Sequence, residues 1–299
     1  MRIKALSTLL LLSGISQLLD ARLVKSWSEE EIFEKADLVV IATVVSTKET
    51  QERSTLPDIQ PPIEVCGMEA DLETRLVFKG EKNITKFRLH YYKTDEEFTN
   101  GPWLIEIPKG EQPTYLLFLT KENDGRYAPA TDQTDPAGNA VIRLRGANGV
   151  RGHGPEPQLH NGRSGQQWTY PKMLEKADLV VKADWVSTKG TDERTTLLGK
   201  DVTGIGVTSE FTINFVLKGP KDPEKLRLHH YKFQDEDDAF RAYPPQLIRI
   251  VPPVIRNGRQ YPGGGKYLLF LTKESDGRYA PVTGQTDPAV SSVLELTPF

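Results

Sequence analysis

The chain has 299 residues, with 38 Lys and Arg against 41 Asp and Glu and a formal net charge of −3. Its basic residues are spread rather than clustered, which excludes the basic stripe that nucleic-acid binding requires. The single cysteine, Cys66, excludes an intramolecular disulfide.

In chain order, Met1-Arg-Ile-Lys4 precedes an apolar run from Ala5 to Ile15, the pattern of a secretory signal peptide. The run falls short of the roughly 20 residues that a membrane span needs. Ser16 and Ala21 are both candidate cleavage positions; residues 1–21 are assigned to the signal. The remainder is then expected outside the cytoplasm, secreted or periplasmic, with no membrane span after cleavage.

Residues 22–144 form a first unit. Ser28-Glu-Glu-Glu31 has the spacing of a capping box and predicts a short helix. A β-branched run from Leu38 to Lys48 predicts a strand with one buried face. Met68, Ala70, Leu72, Leu76 and Phe78, set against Glu69, Asp71, Glu73 and Arg75, predict a second, half-buried strand. Phe87 to Tyr92 reads as a third strand and Leu104 to Ile107 as a short fourth. Tyr115–Leu119 and Arg126–Ala130 flank Asp124-Gly125, which is hairpin chemistry. Residues 145–167, rich in Gly, Asn, Arg and Gln, read as a linker.

The second unit, 168–299, says nearly the same again. Glu34–Val40 returns as Glu175–Val181, Val77–Gly80 as Val216–Gly219, and Tyr115–Tyr127 as Tyr267–Tyr279. A period near 140 residues implies a duplicated domain, because solenoid repeats run to about 20–50. Its helix opens on Thr169 with Pro171 in the first turn, and Val207, Phe211, Ile213, Phe215 and Leu217 carry the alternation.

The order Phe33-Glu-Lys-Ala-Asp-Leu-Val-Val40, a valine-rich strand, a strand ending Phe78-Lys-Gly80, then Tyr115-Leu-Leu-Phe-Leu119 and the Asp124-Gly-Arg-Tyr127 hairpin resembles the netrin-like module. The inhibitory domain of tissue inhibitors of metalloproteinases belongs to that group, and exported bacterial proteins with the Tyr-Leu-Leu-Phe-Leu signature are also similar. The resemblance covers both units. It implies an all-β fold with short flanking helices: two tandem five-stranded barrels of the oligonucleotide/oligosaccharide-binding (OB) type. In those inhibitors a Cys-x-Cys start places an amine and a carbonyl on the catalytic zinc. Lys25-Ser-Trp-Ser28 has no cysteine, so zinc chelation by the N-terminus does not carry over.

Few constellations suggest chemistry. His153 and His160 lie in the Gly-rich segment without further ligands at zinc spacing, so no metal and no cofactor are expected. Asp95–Glu97 and Asp235–Asp238 lack the layout of a calcium loop. Asp132-Gln-Thr-Asp135 becomes Gly284-Gln-Thr-Asp287, which loses one member of a carboxylate pair. No Gly-x-Ser-x-Gly elbow is present. Asn83-Ile-Thr85 fits a glycosylation sequon, and Cys66, opposite Ile205 in the repeat, reads as a small buried apolar residue. The residues placed alike in both units are Arg88, His90 and Tyr92, and Arg227, His229 and Tyr231. They are expected on the polar face of the third strand, either as a binding stripe or as a solvated face packed on its neighbours. The function expected is an exported, non-enzymatic binding or scaffold protein whose partner is an unknown extracytoplasmic protein or glycan. The alternative is a protease inhibitor acting through loops without the chelating N-terminus.

Overall fold

In the computed structural model, the residues described are 27–56, 62–94, 104–108, 111–131, 138–146, 168–197, 202–234, 247–248, 250, 252–253, 255–256, 259–260, 265–285 and 292–297. The assigned signal, residues 147–167 of the expected linker with His153 and His160, and both acidic clusters lie outside them. The fold is mostly β with two short helices, and no described helix is long and apolar enough to cross a membrane.

The first half comprises α1 (Glu29–Lys35), β1 (Leu38–Thr55), β2 (Glu64–Lys79), β3 (Lys86–Lys93), β4 (Thr114–Lys121), β5 (Tyr127–Pro129) and β6 (Val141–Gly146). The second comprises α2 (Tyr170–Lys176), β7 (Leu179–Leu197), β8 (Val202–Lys218), β9 (Lys225–Phe233), β10 (Ile255–Arg256), β11 (Arg259–Gln260), β12 (Lys266–Lys273), β13 (Tyr279–Pro281) and β14 (Val293–Thr297). In the first half β1 pairs with β2, β2 with β3, β3 with β5, β5 with β4, and β4 returns to β1. The ring is antiparallel except at β3–β5, a parallel contact at the single pair Leu89 and Tyr127. The second half closes in the same order, β7-β8-β9-β13-β12-β7, with Leu228 and Tyr279 at the parallel contact. β10 and β11 pair only with each other. β6 lies on β4, β14 lies on β12, and β6 pairs antiparallel with β14, which joins the halves into one sheet.

Both helices begin as their sequences predict. Ser28 Oγ accepts from the Glu31 backbone N–H at 3.1 Å, and the Glu31 carboxylate accepts from the Ser28 N–H at 2.9 Å. At the other end, Lys79 Nζ donates to the carbonyls of Phe33 and Glu34 at 2.7 and 3.0 Å, satisfying groups the helix leaves open. Lys218 does the same for α2 at Leu174 and Ala177, 2.6 Å each. The following Gly80 has φ +99°, and a Cβ there would lie 2.4 Å from the Asp37 carbonyl oxygen. Asp37 in turn accepts from the Lys121 N–H at 2.8 Å, as Asp178 does from Lys273. The repeated Ala-Asp-Leu and Lys-Gly segments therefore clasp helix, strand end and hairpin together.

Leu38, Val40, Ala42 and Val44 of β1 join Leu89, Tyr115 and Leu117 in the core of the first ring. Leu179, Val181, Phe211, Leu228 and Tyr267 serve the second. A third cluster is shared by both halves and includes Ile32, Val39, Ile41, Phe118, Ile142, Met173, Val180, Phe270 and Leu296. It corrects the expectation that only one face of the first strand is buried: Val39 and Ile41 face the other half. Lys182, which stands where the repeat has Ile41, is 4% exposed.

Three element boundaries also differ from expectation. β1 and β2 run well beyond Lys48 and Met68 as a long two-stranded arm. Leu104–Ile107 forms no strand; Ile105 and Ile107 join the first core all the same, so their alternation records burial without a ladder partner. Arg145 and Gly146, assigned to the linker, end β6, whose pairing with β14 is too distant in sequence to be read locally.

Candidate functional site

β3 carries Arg88, His90 and Tyr92 on one face and β9 carries Arg227, His229 and Tyr231, as strand alternation requires. Their fates along that face differ. Arg88 and Arg227 are exposed, Tyr92 and Tyr231 are half-buried, and His90 and His229 are buried.

Each histidine is held between two glutamates. His90 Nδ1 donates to the Glu122 carboxylate, 3.0 Å from both oxygens, and Nε2 faces Glu52 Oε2 at 3.3 Å. His229 Nδ1 lies 3.0 Å from both oxygens of Glu274, with Nε2 2.9 Å from Glu193 Oε2. An arginine completes the cluster. Arg126 Nε binds Asp124 at 2.6 Å and lies 3.5 Å from Glu122, and Arg278 repeats this with Asp276 at 2.6 Å and Glu274 at 3.6 Å. Hydrogen bonds from the Arg126 and Arg278 backbone, then from their guanidinium groups, hold Asp124 and Asp276 below the ordinary carboxylate range. Tyr92 donates to Glu52, and burial followed by that carboxylate pushes its hydroxyl up to about 12. In the first half Glu69 joins as well. Lys48 at 2.9 Å and Arg88 at 3.4 Å hold it below its usual range against the opposing effect of burial.

Glu52 sits on β1, two strands away from β3, and reaches His90 by crossing β2. The register places Glu49 opposite Met68 and Arg53 opposite Cys66, so Thr50, Gln51 and Glu52 bulge over Gly67. A Cβ on Gly67 would lie 2.6 Å from Thr50 Oγ1 and 2.9 Å from Glu52 Cβ. Gly206 is the equivalent, with Thr191 Oγ1 at 2.4 Å and Glu193 Cβ at 2.7 Å. Neither these residues nor Glu122, Arg126, Glu274 and Arg278 stand out in the sequence as members of a site. The signal was present in the paired segments Thr50-Gln-Glu-Arg53 and Thr191-Asp-Glu-Arg194, and in the repeated Lys-Glu-x-Asp-Gly-Arg hairpin.

The open ground lies beside this cluster. A cleft of about 700 Å³ in the first half is bordered by Lys86, Arg88 and Lys121, with Phe87, Tyr127 and Ile84 among its apolar walls. It follows the seam where β3 and β5 meet at one residue pair. Asp71, also on its border, is engaged by the Ser46 hydroxyl at 2.8 Å.

Among the described residues, one Ser–His contact lies in the second half. Ser209 Oγ lies 2.9 Å from His230 Nε2 and 2.8 Å from Thr188 Oγ1, but Ser209 is 0% exposed. Burial, then the adjacent His229, pushes His230 down to about 4, so it is neutral at neutral pH. The first half has Ala70 and Tyr91 at these places. A hydroxyl closed off from solvent cannot meet a substrate, and the pair is an internal polar contact. Among the described residues no group of three or more His, Cys, Asp or Glu is arranged to hold a metal ion. Cys66 is half-buried beside Lys93. No protein-family model matches this sequence, and a search of curated proteins finds no match.

Proposed function

We propose that the chain is an extracytoplasmic, non-enzymatic binding or scaffold protein built from two netrin-like modules in tandem. The observation that carries this reading is the closure of the histidine sites. In both halves the group best suited to acid–base work has a carboxylate at each ring nitrogen. Each ring is bound through Nδ1 and is buried, at 4% and 6% exposure, so neither imidazole is presented to solvent. The binding role falls instead to the cleft rim, where Arg88, Lys86 and Lys121 stand beside Phe87 and Tyr127, a mixture of cationic and aromatic groups suited to partly dry contacts. Arg88 thus keeps the binding role expected of the strand face, whereas His90 and Tyr92 act from beneath it. The five-stranded closed rings, each preceded by a short helix, support the modular part of the reading.

The test is a pull-down from an extracytoplasmic extract with two baits, the parent and Lys86→Ala/Arg88→Ala/Lys121→Ala. A partner held by the parent and lost by the variant supports the cleft as the binding site. A partner kept equally by both removes the cleft from the reading. Turnover of arrayed peptide or glycan substrates by the parent, abolished by His90→Gln/His229→Gln, overturns the non-enzymatic role.

A further inference from the structure

The repeat allows the join between the halves to be read position by position. Glu29 corresponds to Tyr170, Ile41 to Lys182, Phe33 to Leu174 and Leu76 to Phe215. All of these lie at the join. Lys182 Nζ of β7 sits 2.5 and 2.6 Å from the two carboxylate oxygens of Glu29 in α1, above the ring of Phe118 at 5.4 Å. The mirror positions hold Ile41, fully buried, and Tyr170, which packs on Phe270 at 6.2 Å. Phe33 of α1 meets Phe215 of β8 at 5.0 Å, where the mirror residues are Leu174 and Leu76. Differences between the halves therefore come in matched pairs, and each pair spans the join.

The strands that complete the join show the same thing independently. β6 and β14 pair with Leu144 opposite Leu296 and Arg145 opposite Glu295. Leu144 and Leu296 are themselves equivalent in the repeat, so a local twofold passes through them. Two copies of β6 in that register would set Arg143 against Arg145 on both sides of the centre. Opposed like charges on a ladder are unfavourable, whereas opposite charges are favourable.

We infer that the join is a heterotypic recognition surface, on which each half of the chain accepts the other half and refuses a copy of itself. A pair of first halves would turn two Glu29 carboxylates towards two Ile41 side chains. A pair of second halves would bury two Lys182 ammonium groups against Tyr170 without the Glu29 carboxylate that binds them here, leaving only the charge of Asp184 on their own strand. Burial already draws the Lys182 ammonium below its ordinary range, with Glu29 opposing the shift. A buried ion left without its partner is strongly destabilising.

The test uses the full chain carrying a protease site within residues 147–167. The chain is cut once, unfolded, refolded, and its fragment pairs are weighed by native mass spectrometry. Unlike pairs are expected to dominate, with like pairs below about one in a hundred, because each like pair takes two Glu29 or two Lys182 charges away from the direct ion pair they make here. Glu29→Tyr/Lys182→Ile, which writes the mirror residues into the charged side, is expected to raise like pairs at least about tenfold. Like pairs at their statistical share in the parent overturn the inference. If the cut chain does not refold, the intact chain decides by melting. Glu29→Tyr alone should lower Tm further than Glu29→Tyr/Lys182→Ile does. A double variant no more stable than that single one overturns the inference equally.

Discussion

At the scale of single residues, His230 makes stability depend on pH. Its folded-state value of about 4 lies below the ordinary 6.5, so acid favours the unfolded chain. The neutral ring's contribution to stability is whole above pH 6.5 and is lost as pH falls towards 4. The gap corresponds to roughly 3 kcal/mol. Ser209→Ala/His230→Tyr, which copies Ala70 and Tyr91 of the first half, should flatten the parent's fall in Tm between pH 6.5 and 4. Equal slopes for parent and variant would show that the imidazole does not cause the fall. Gly67→Ala tests the crossing of β1 over β2. Its Cβ would meet Thr50 and Glu52, and urea unfolding should report a loss of about 1–3 kcal/mol, typical of overpacking. The crossing explains why the site was only half legible in the sequence. Alternation placed Arg88, His90 and Tyr92 on one face, because neighbours along a strand obey a period of two. Nothing local shows that Glu52 passes over a glycine to reach His90 from two strands away.

At the scale of elements, helix starts and hairpin turns were readable because their chemistry is local: Ser28 and Glu31 are three residues apart, and Asp124 and Gly125 are adjacent. The helix ends were not, since the groups that satisfy them arrive from the far end of a strand. Lys218 accordingly makes a testable contribution. Lys218→Met removes the ammonium from the α2 carbonyls while keeping the stem, and should cost about 1–2 kcal/mol in chemical denaturation. A change near zero would mean that water satisfies those carbonyls equally well. The supposed fourth strand errs in the opposite direction. Ile105 and Ile107 show the period of a strand, but the core takes their side chains while the backbone pairs with no ladder.

At the scale of the whole molecule, the recurring segments were plain in the sequence, but the join was not, because a lysine in an apolar run reads as a solvent-facing residue. The shared cluster ties the halves energetically. Calorimetry should show one transition whose calorimetric and van't Hoff enthalpies agree, and Phe270→Ala should lower it as a unit by about 3–5 kcal/mol. Two resolved transitions would mean that each ring is stable alone. The shared cluster also has a consequence in time. It draws on residues from Ile32 to Leu296, so the second half must be synthesised before Ile41 and Phe118 are covered. Contacts of such long sequence separation form late. A growing chain therefore carries an uncovered apolar face through the making of its entire second half. Closure of the shared core is thereby deferred until the strand carrying Leu294 and Leu296 has been made, so the first half cannot reach its final packing on its own.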